Sequence, residues 1–572
     1  MKKTAAALLL LQAALHGAVV YPERFGAVPG DGRDDTAAVQ KAADYCSAHP
    51  GSVLAFRRKG RYDFFAGKNP KRKTTSILFR QARNLGVKGN GATLVFHGLT
   101  RALVFEECAG VVVVDLTIDW ERPPFSVGKL LRNEGRVVDV ELLPGFDLEG
   151  GEPVEAFMEY DPETRRPLRR GADVYHAVER TELAGERLFR MHLKRPVRLQ
   201  AGSLLVLRHQ VYIYNALSFG KCRNVRVERV TVHAAPGMGL HAHHTGNVLL
   251  RRFRVLPRPG RIMSTTADAT HFNSCRGRIE IRDCVFEGMG DDAVNVHGMY
   301  HKVVERAGAR TVLTRCRNGW IMEPAVGDRM EFTDFRTLLP YWTDVLAAVE
   351  IDRAAKLHRL TFRRPLPVAL KAGDVLGNVE WAPRLLITGS TVRANRARGF
   401  LVQTRDALIE GNTFEYVSGA ALHITCDADY WTESIGTRKV RVRRNVIRGV
   451  NYGAAMGPAA IRVFADIKGG KPAACGAHRD ITIEENTIED TDNAAIFLGS
   501  TDGALVRKNL IRNPCRDPNR PEGRAAIFLL NCRNVKVEEN TVTGGPDMED
   551  LVRLGAGCEE KTIRLRDNRR GG

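Results

Sequence analysis

The stretch GMGDDAVNVHG, residues Gly288–Gly298, contains the phrase that recurs most clearly along this chain. Later copies open with two alanines and continue as a strand whose third and fifth positions are apolar: Ala420–Ile424, Ala459–Val463, Ala494–Leu498 and Ala525–Leu529. Asp292 stands where those copies have the leading alanine, and Asp291 precedes it. A repeat that requires a small residue but carries a carboxylate has departed from its structural rule, which indicates a function at this position.

Strand-like phrases between these copies alternate apolar and polar residues and end in an asparagine, as in Ile481–Asn486 and Val535–Asn540. Alternation with a period of two gives strands with one buried face. Repeats of two or three such strands cannot bury their own faces, so they stack coil on coil around a continuous core. The sequence therefore predicts an all-β protein, a right-handed parallel β-helix.

Two long segments interrupt the register of the coils and carry short β-type phrases of their own. We interpret them as small antiparallel β subdomains, barrel-like, that project from the β-helix. Loops of that length inside a compact solenoid are usually functional. The expected division is a signal peptide at 1–18, an N-terminal cap and first coils at 19–119, a β subdomain at 120–210, coils carrying the active site at 211–299, a β subdomain at 300–382, and C-terminal coils at 383–572.

The N-terminal segment reads as an export signal, because Met1-Lys2-Lys3 precedes a mostly apolar run from Ala5 to Leu15 and then small residues. Cleavage is expected after Gly17 or Ala18. The run is too short to span a bilayer, and no later stretch reaches the roughly 18 apolar residues that a transmembrane helix needs. The sequence predicts an exported protein, periplasmic or secreted.

Composition excludes several other classes of protein. The 44% hydrophobic content allows a large core, and the 11 cysteines, an odd number without a CxxC pair, argue against a disulfide framework. The net charge of +20 is scattered rather than blocked, which indicates a solvated basic surface. Nothing resembles a nucleic-acid module, and the sequence does not indicate an oligomeric state.

The third and fifth positions of the repeat should point inward, so the fourth and sixth face outward. In the coils that begin at Met238, Asp268 and Asp292, these outer positions are polar. Neighbouring coils lie about 4.8 Å apart, so Asp268 and Asp292 should nearly stack, beside a wall of donors and acceptors suited to sugar hydroxyls. The candidate substrate-binding residues are His241, His243, His271, Asn273, Asn295, His297 and, leading the next coil, Arg398.

Three clustered acids, Asp268, Asp291 and Asp292, are the candidate catalytic residues. Like charges at short range cannot all ionise easily, so one acid can keep its proton beside an ionised partner. Glycoside hydrolysis requires that combination. Two other interpretations of Asp291 and Asp292 stay open, namely the capping of a turn and the binding of Ca²⁺. No HExxH or Cys/His spacing indicates zinc, and no metal or other cofactor is expected.

A family resemblance rests on these residues. Asp268–Gly277, followed by Cys284–Gly298, resembles glycoside hydrolase family 110, the exo-acting bacterial α-1,3-galactosidases. The resemblance implies an inverting, metal-free hydrolase that removes terminal α-1,3-linked galactose, as on blood-group B glycans. Its substrate would be an oligosaccharide or glycoconjugate with a terminal α-galactose. The resemblance further implies that Asp291 is the general acid, with Asp268 and Asp292 holding and deprotonating the water.

Three alternatives remain. Phe25–Ala42 is similar to the cap of pectate-lyase-like enzymes, including polygalacturonases, but many activities share that cap. A polygalacturonase-like hydrolase should carry a later Gly-His-Gly and an Arg-x-Lys, which are not evident here. A lyase would need Ca²⁺ and a basic proton acceptor, for which Arg398 is a candidate. A non-catalytic glycan-binding solenoid would not need carboxylates at two leading positions.

Overall fold

The computed structural model describes residues 17–67, 74–317, 323–453, 457, 459–467, 471–517, 524–545 and 547–571. Most of the expected signal peptide at 1–18 lies outside the described residues. The chain winds into stacked coils, each with three short strands that pair in parallel with the coils before and after. The coils therefore have three walls, which are called the first, second and third walls here.

The first wall follows each leading residue of the repeat, and its register runs Leu240 to Thr270 to Val294 to Phe400 on successive coils. Its strands are Thr75–Arg80, Arg101–Glu106, Leu217–Gly220, Leu240–His243, Thr270–Asn273, Val294–Arg306, Phe400–Val402, Leu422–Asp427, Ala459–Ile467, Ala494–Gly499, Ala525–Leu530 and Asp550–Leu554. Two short strands, Glu433–Ser434 and Lys471–Pro472, pair antiparallel at its edge.

The second and third walls complete each coil. Second-wall strands are Val19–Val20, Val53–Ala55, Gly246–Arg251, Arg276–Arg282, Arg384–Thr388, Arg405–Glu410, Arg438–Arg443, His478–Glu484, Thr501–Arg507, Arg533–Glu538 and Arg564–Arg566. Third-wall strands are Arg61–Phe65, Arg254–Val255, Val285–Glu287, Thr391–Arg393, Thr413–Glu415, Val446–Arg448, Thr487–Glu489, Leu510–Arg512, Thr541–Thr543 and Arg569–Arg570. Three longer strands bend from the second wall into the third: Arg83–His97, Ala109–Trp120 and Arg223–Val232.

One apolar core runs through the coils from the N-terminal helix to the last turns. Leu240, Phe272 and Val296 are fully buried in it, which places the third and fifth repeat positions inside as the alternation predicts. His241 and His243 alternate with the inward-facing residues of the strand Leu240–His243. They are only half-buried and point outward. The inward stripe of every wall therefore holds the coils together.

A stack of asparagines fixes the turn between the second and third walls. Each side-chain Nδ2 donates to the Oδ1 of the next asparagine over 2.8 to 3.0 Å, and each Oδ1 also accepts a backbone N–H from the preceding coil. This hydrogen-bonded stack, called the asparagine ladder here, consists of Asn412, Asn445, Asn486, Asn509, Asn540 and Asn568. It satisfies buried polar groups at the turn where each coil changes direction.

A helix covers the N-terminal end of the coils, as expected for a solenoid whose strand edges must be protected. It spans Thr36–Ala48 and buries Val39 and Ala43 against the first coils, and a 3-10 turn at Pro22–Phe25 precedes it. At the start of this helix the Asp34 carboxylate accepts the Thr36 N–H at 3.0 Å, whereas the Asp35 side chain accepts the backbone N–H groups of Val28 and Asp63. A second 3-10 turn lies at Glu560–Thr562.

Both interruptions of the coils are antiparallel sheets. The first has seven strands, Phe125–Glu134, Val137–Leu142, Ala156–Tyr160, Asp173–Tyr175, Val178–Leu183, Leu188–Leu193 and Leu204–Arg208, and no strand pairing closes it. The second closes into a six-stranded barrel of Thr311–Cys316, Arg329–Thr333, Pro340–Asp352, Leu357–Phe362, Val375–Asn378 and the outer part of Val294–Arg306. The predicted fold class, a parallel β-helix with a cap and two inserted β subdomains, is confirmed.

Candidate active site

Three aspartates meet where two turns enter the first wall. Asp268 leads into Thr270–Asn273, and Asp291 and Asp292 lead into Val294–Arg306 on the next coil. The three residues are 3%, 7% and 1% exposed, and one carboxylate oxygen from each lies within 4.8 Å of the others. The pairing of Asp268 with Asp292 that the repeat predicts is therefore present, and Asp291 joins the same cluster.

Asp292 is held by Arg398, the leading residue of the following coil. Its Oδ1 accepts the Arg398 backbone N–H at 2.9 Å, and its Oδ2 accepts the guanidinium Nη2 at 2.8 Å. Burial raises the pKa of Asp292 well above its usual value, although the Arg398 charge opposes that rise. Asp292 thus has a high proton affinity in a fixed orientation.

Asp291 contacts a different set of groups. Its Oδ1 lies 2.8 Å from Nη1 of Arg396, and its Oδ2 accepts a hydrogen bond from the hydroxyl of Tyr212. The Tyr212 ring is 49% exposed, so this residue joins a buried carboxylate to solvent. Both contacts hold the Asp291 carboxylate in one orientation.

The first inserted subdomain supports this turn from outside. Asp173 pairs with Arg396 at 2.7 Å, and the guanidinium of the fully buried Arg208 donates to the Gly290 carbonyl at 2.9 Å. Both guanidinium groups also lie over the ring of Tyr175, 5.2 and 4.7 Å from its centroid. The insertion therefore fixes the turn that carries Asp291.

Asp268 belongs to a chain of imidazoles. Its Oδ2 lies 2.7 Å from Nδ1 of His271, whose Nε2 lies 2.8 Å from Nε2 of His297. The other nitrogen of His297 lies 2.7 Å from the Gly298 carbonyl oxygen. The other carboxylate oxygen of Asp268, Oδ1, accepts no hydrogen bond from the described residues, so it is available to a ligand or water.

Several buried polar atoms along the first wall, at the aspartates and on the coils before and after them, have no partner among the described residues. They are Oδ1 of Asn295, Nε of Arg398, Oε1 of Gln403, Nδ1 of His243 and Nε of Arg462. An unsatisfied buried polar atom costs about 1–3 kcal/mol, so a cluster of them indicates a bound partner with hydroxyl or carboxylate groups. The outer wall thus offers acceptors and donors ready for a polar ligand.

The structure places all ten residues predicted for the site on neighbouring coils. His241 stacks beside His243 and His271, with ring centroids 5.4 and 5.6 Å away. His243 and Asn273 pair in register two positions further along the strands, away from the leading aspartates, and the Asn273 amide oxygen accepts a hydrogen bond from Ser274. Of the remaining predicted residues, His271 and Arg398 contact the aspartates directly, His297 contacts His271, and Asn295 pairs in register with His271 on the next coil.

Sequence reasoning missed seven residues that come to the site from the first insertion, from connecting segments and from the end or edge of the first wall: Asp173, Tyr175, Arg208, Tyr212, Arg396, Gln403 and Glu433. Glu433 accepts from Gln403 and lies 3.7 Å from Nε2 of His297. None of these residues occupies an outer position of a coil beside the aspartates except Gln403, a sixth position. For Gln403 the sequence did offer an indication, because the sixth position of the coil after that of His297 is polar.

The three carboxylates are also close enough to share a cation. Two of their charges are already compensated by Arg396 and Arg398, whose donors occupy the oxygens that an ion would use. A Ca²⁺ site normally takes six to eight oxygen ligands without such competing cations. The charge balance therefore favours a site for a neutral polar ligand.

The family model described as a right handed beta helix region matches residues 375–568. The chain is similar to the alpha-1,3-galactosidase A of Shewanella woodyi, at 27% identity over 554 residues that cover 91% of this chain and 90% of that protein. It is 28% identical over 591 residues to an alpha-1,3-galactosidase B of Phocaeicola vulgatus, covering 92% and 96%. The family 28 exopolygalacturonase of Yersinia enterocolitica aligns with 96% of this chain and 78% of its own at a TM-score of 0.40 and 12% identity, too low a likeness to support an argument. The curated relatives confirm the predicted resemblance.

Proposed function

We propose that this protein, related along nearly its whole length to bacterial α-1,3-galactosidases, is a glycoside hydrolase that releases terminal α-1,3-linked galactose from glycans such as blood-group B structures. One observation carries the proposal. Three buried aspartates lie within 4.8 Å of one another beside polar atoms that lack partners. Non-catalytic sugar binding does not require such a costly grouping of like charges.

In the proposed reaction Asp291 is the general acid and protonates the glycosidic oxygen as its bond to C1 breaks. A water molecule held by Asp268 and Asp292 attacks C1 from the opposite face and gives its proton to that pair. Asp291 has to carry a proton when the glycosidic bond breaks, and the Tyr212 hydroxyl at its Oδ2 orients this carboxyl group. The high proton affinity of Asp292 suits a group that shares the water's proton.

Inversion remains part of the proposal. In many inverting hydrolases the two carboxyl groups are about 6.5–9.5 Å apart to leave room for the water. Here the nearest oxygens are within 4.8 Å, so spacing alone does not favour inversion. The resemblance to the family and the presence of a third carboxylate, which lets two hold the water, support single displacement.

Attack on a terminal sugar is supported by the surroundings of the cluster. Tyr212 follows the first inserted sheet and contacts Asp291, while Glu433 pairs antiparallel with Met299 at the start of the second insertion. Residues outside the coil strands therefore line the site on the Asp291 side and on the His297 side. A bounded pocket accepts a chain end more readily than the middle of a chain.

A second candidate function is hydrolysis of an acidic sugar by a polygalacturonase-like reaction. The unpartnered Nε atoms of Arg398 and Arg462 favour it, because guanidinium groups bind carboxylates well. Galacturonides as substrates distinguish it from the first proposal.

We also propose that the protein acts outside the cytoplasm, periplasmic or secreted, which the amino-terminal sequence supports. No helix among the described residues is long and apolar enough to cross a membrane. Detection of mature protein beginning near Val19 in a periplasmic or culture fraction would test this localisation.

The deciding experiment incubates the protein with linear α-1,3-galactobiose, its fucosylated analogue and a galacturonide. We expect free galactose, released first as the β-anomer in proton NMR spectra. Asp268→Asn, Asp291→Asn and Asp292→Asn should each lose at least about 10²-fold in rate, the lower end for general acid–base groups. Asp139→Asn is the matched control, because Asp139 is a buried, arginine-paired carboxylate in the first insertion. Wild-type protein that releases no galactose from either galactoside contradicts the proposal.

A further inference from the structure

The histidine chain behind Asp268 runs from the carboxylate through His271 and His297 to the carbonyl oxygen of Gly298. Its three hydrogen bonds measure 2.7, 2.8 and 2.7 Å, all within the normal range, and they end on a backbone carbonyl. A carbonyl oxygen can only accept, so Nδ1 of His297 must carry a hydrogen. The fixed end determines the proton positions along the rest of the chain.

Neutral His297 then presents a lone pair at Nε2, and Nε2 of His271 must donate to it. One proton remains for the bond between Nδ1 of His271 and Oδ2 of Asp268. It belongs either to the imidazole, giving an imidazolium beside a carboxylate, or to the carboxyl. In both forms His271 and Asp268 share a single proton, and Oδ2 is unavailable to water.

We propose that His271, oriented by His297, is a positioning residue that holds Asp268 with one oxygen engaged and the other turned to the attacking water. This inference rests on the proposed function, in which Asp268 helps to deprotonate that water. When the water's proton passes to the free Oδ1, the bond from His271 to Oδ2 persists, so Asp268 keeps its orientation through the reaction.

The charged groups around the chain agree with this distribution. Burial lowers the pKa of His271, but the hydrogen bond that its ring donates to Asp268 and the charges of Asp268 and Glu433 outweigh burial, so the net pKa is raised. Burial lowers the pKa of His297 despite the opposing charge of Glu433, which keeps this ring neutral. His241 faces His271 at 5.6 Å between ring centroids, and its own pKa is lowered by burial.

The groups that face the chain from the next coil are Asp292 and its partner Arg398, which compensate each other. Loss of the His271 proton at alkaline pH would set a lone pair against Oδ2 of Asp268. The alkaline limb of the rate profile should therefore depend on His271.

Two substitutions separate positioning from space filling. The amide nitrogen of His271→Asn takes the place of Nδ1 and can still donate to Asp268, whereas that of His271→Gln takes the place of Nε2 and can only reach His297. The asparagine is the smaller residue, so a purely structural role predicts that it is the worse substitute. We expect the reverse order in kcat, with the glutamine variant about 10- to 100-fold below wild type, the range for loss of a group that orients a functional side chain.

The assay measures kcat and KM against pH with α-1,3-galactobiose. We expect KM to change little, and the alkaline limb to move to higher pH or vanish in His271→Asn, because an amide does not titrate. His358→Gln is the matched control, since His358 is buried in the second insertion, away from the aspartates, and its Nδ1 lies 3.2 Å from that of another histidine, His301. A glutamine variant at least as active as the asparagine variant, or an alkaline limb unchanged in His271→Asn, overturns the proposal.

An NMR measurement on the protein without substrate tests this inference independently of the proposed function. In protein labelled with ¹⁵N-histidine at pH 6, we expect His297 protonated at Nδ1 alone and His271 protonated at both nitrogens. A singly protonated His271 that loses its hydrogen bond to Asp268 contradicts the inference even if galactose is released. An inactive wild type with the expected histidine spectrum contradicts the galactosidase proposal and leaves the proton distribution supported.

Discussion

Replacing Asn486 by alanine should weaken the β-helix more than an ordinary surface change does. Asn486 is 1% exposed in the middle of the asparagine ladder. Its Oδ1 accepts the backbone N–H of Asn445 at 3.0 Å, and its Nδ2 donates to the Val442 carbonyl at 3.1 Å and to Asn509 at 3.0 Å. Alanine leaves the Asn445 N–H without its acceptor inside the turn, where water cannot replace it.

The magnitude follows from these contacts. An orphaned buried N–H costs about 1–3 kcal/mol, and each of the two lost side-chain bonds costs about 0.5–1.5 kcal/mol. The free energy of unfolding should therefore fall by about 2–6 kcal/mol by the same bookkeeping. Asn568→Ala should cost less, because that last rung is half-buried and solvent can satisfy the exposed groups.

Urea unfolding followed by circular dichroism measures the difference, with galactose release at low temperature as a check on the folded state. The folded Asn486→Ala protein should keep the wild-type kcat, because the ladder lies at the turn between the second and third walls and the aspartates lead into the first. An unfolding midpoint for Asn486→Ala equal to that of Asn568→Ala would refute the reasoning that ladder burial sets the cost.

Three other results are expected. Tyr212→Phe keeps the exposed ring but removes the hydroxyl that contacts Asp291. Because a hydrogen bond to a charged group is lost, kcat/KM should fall about tenfold. Tyr430→Phe, which changes an exposed tyrosine elsewhere, is the control and should leave kcat/KM unchanged. The folded-state pKa of Asp292 is raised by burial, so the contribution of this residue to stability is lost as pH rises from the unfolded value of about 3.9 through that pKa. The melting temperature of Asp292→Asn minus that of wild type should therefore increase from pH 4 to pH 7, and a constant or shrinking difference argues against this. Treatment with EDTA should leave galactose release unchanged, because Arg396 and Arg398 already neutralise two carboxylates; activity lost to EDTA and restored by Ca²⁺ would contradict this charge balance.

Most of the fold could be predicted from the sequence repeat. Alternation identified the inward stripe, and the recurring phrase placed Asp268 and Asp292 on adjacent coils, because a parallel β-helix converts equal repeat positions into spatial neighbours. The excess lengths near 120–210 and 300–382 marked the insertions. Their internal topology was beyond the sequence, since an open sheet and a closed barrel differ only in which edge strands pair.

The site was predictable only where it belongs to the coils. Residues on first-wall strands have positions fixed by register, so His271 and His297 were found together. Tyr212 and Arg396 reach the aspartates from loops whose course no periodicity determines. Asp173 comes from an inserted strand far away in sequence, and only the folded chain shows that it pairs with Arg396.

The structure explains why the later copies of the repeat have alanine at the leading position, where this copy has Asp292. In the later coils Ala459 and Ala494 are fully buried beneath the outward-facing rings of Phe464 and Phe497, which form a small apolar cluster outside the core. The requirement for a small residue there comes from those rings. The position after the leading residue is the one limited by the backbone, because a Cβ at Gly399 would lie 2.3 Å from the Ala421 carbonyl oxygen.

In the coils that carry the aspartates, the leading residue and the outward-facing residues both differ from those of the later coils. The leading residue becomes Asp268, Asp292 or Arg398, and the outward aromatic rings give way to polar residues such as His271 and Asn295. An aspartate alone under a phenylalanine would be a desolvated, unpaired charge and would cost several kcal/mol. The same wall can therefore be a closed apolar seam in one half of the β-helix and a polar groove in the other without altering its backbone. The joint exchange of leading and outer residues, more than the acidic pair itself, is what the chain had to change to build a site.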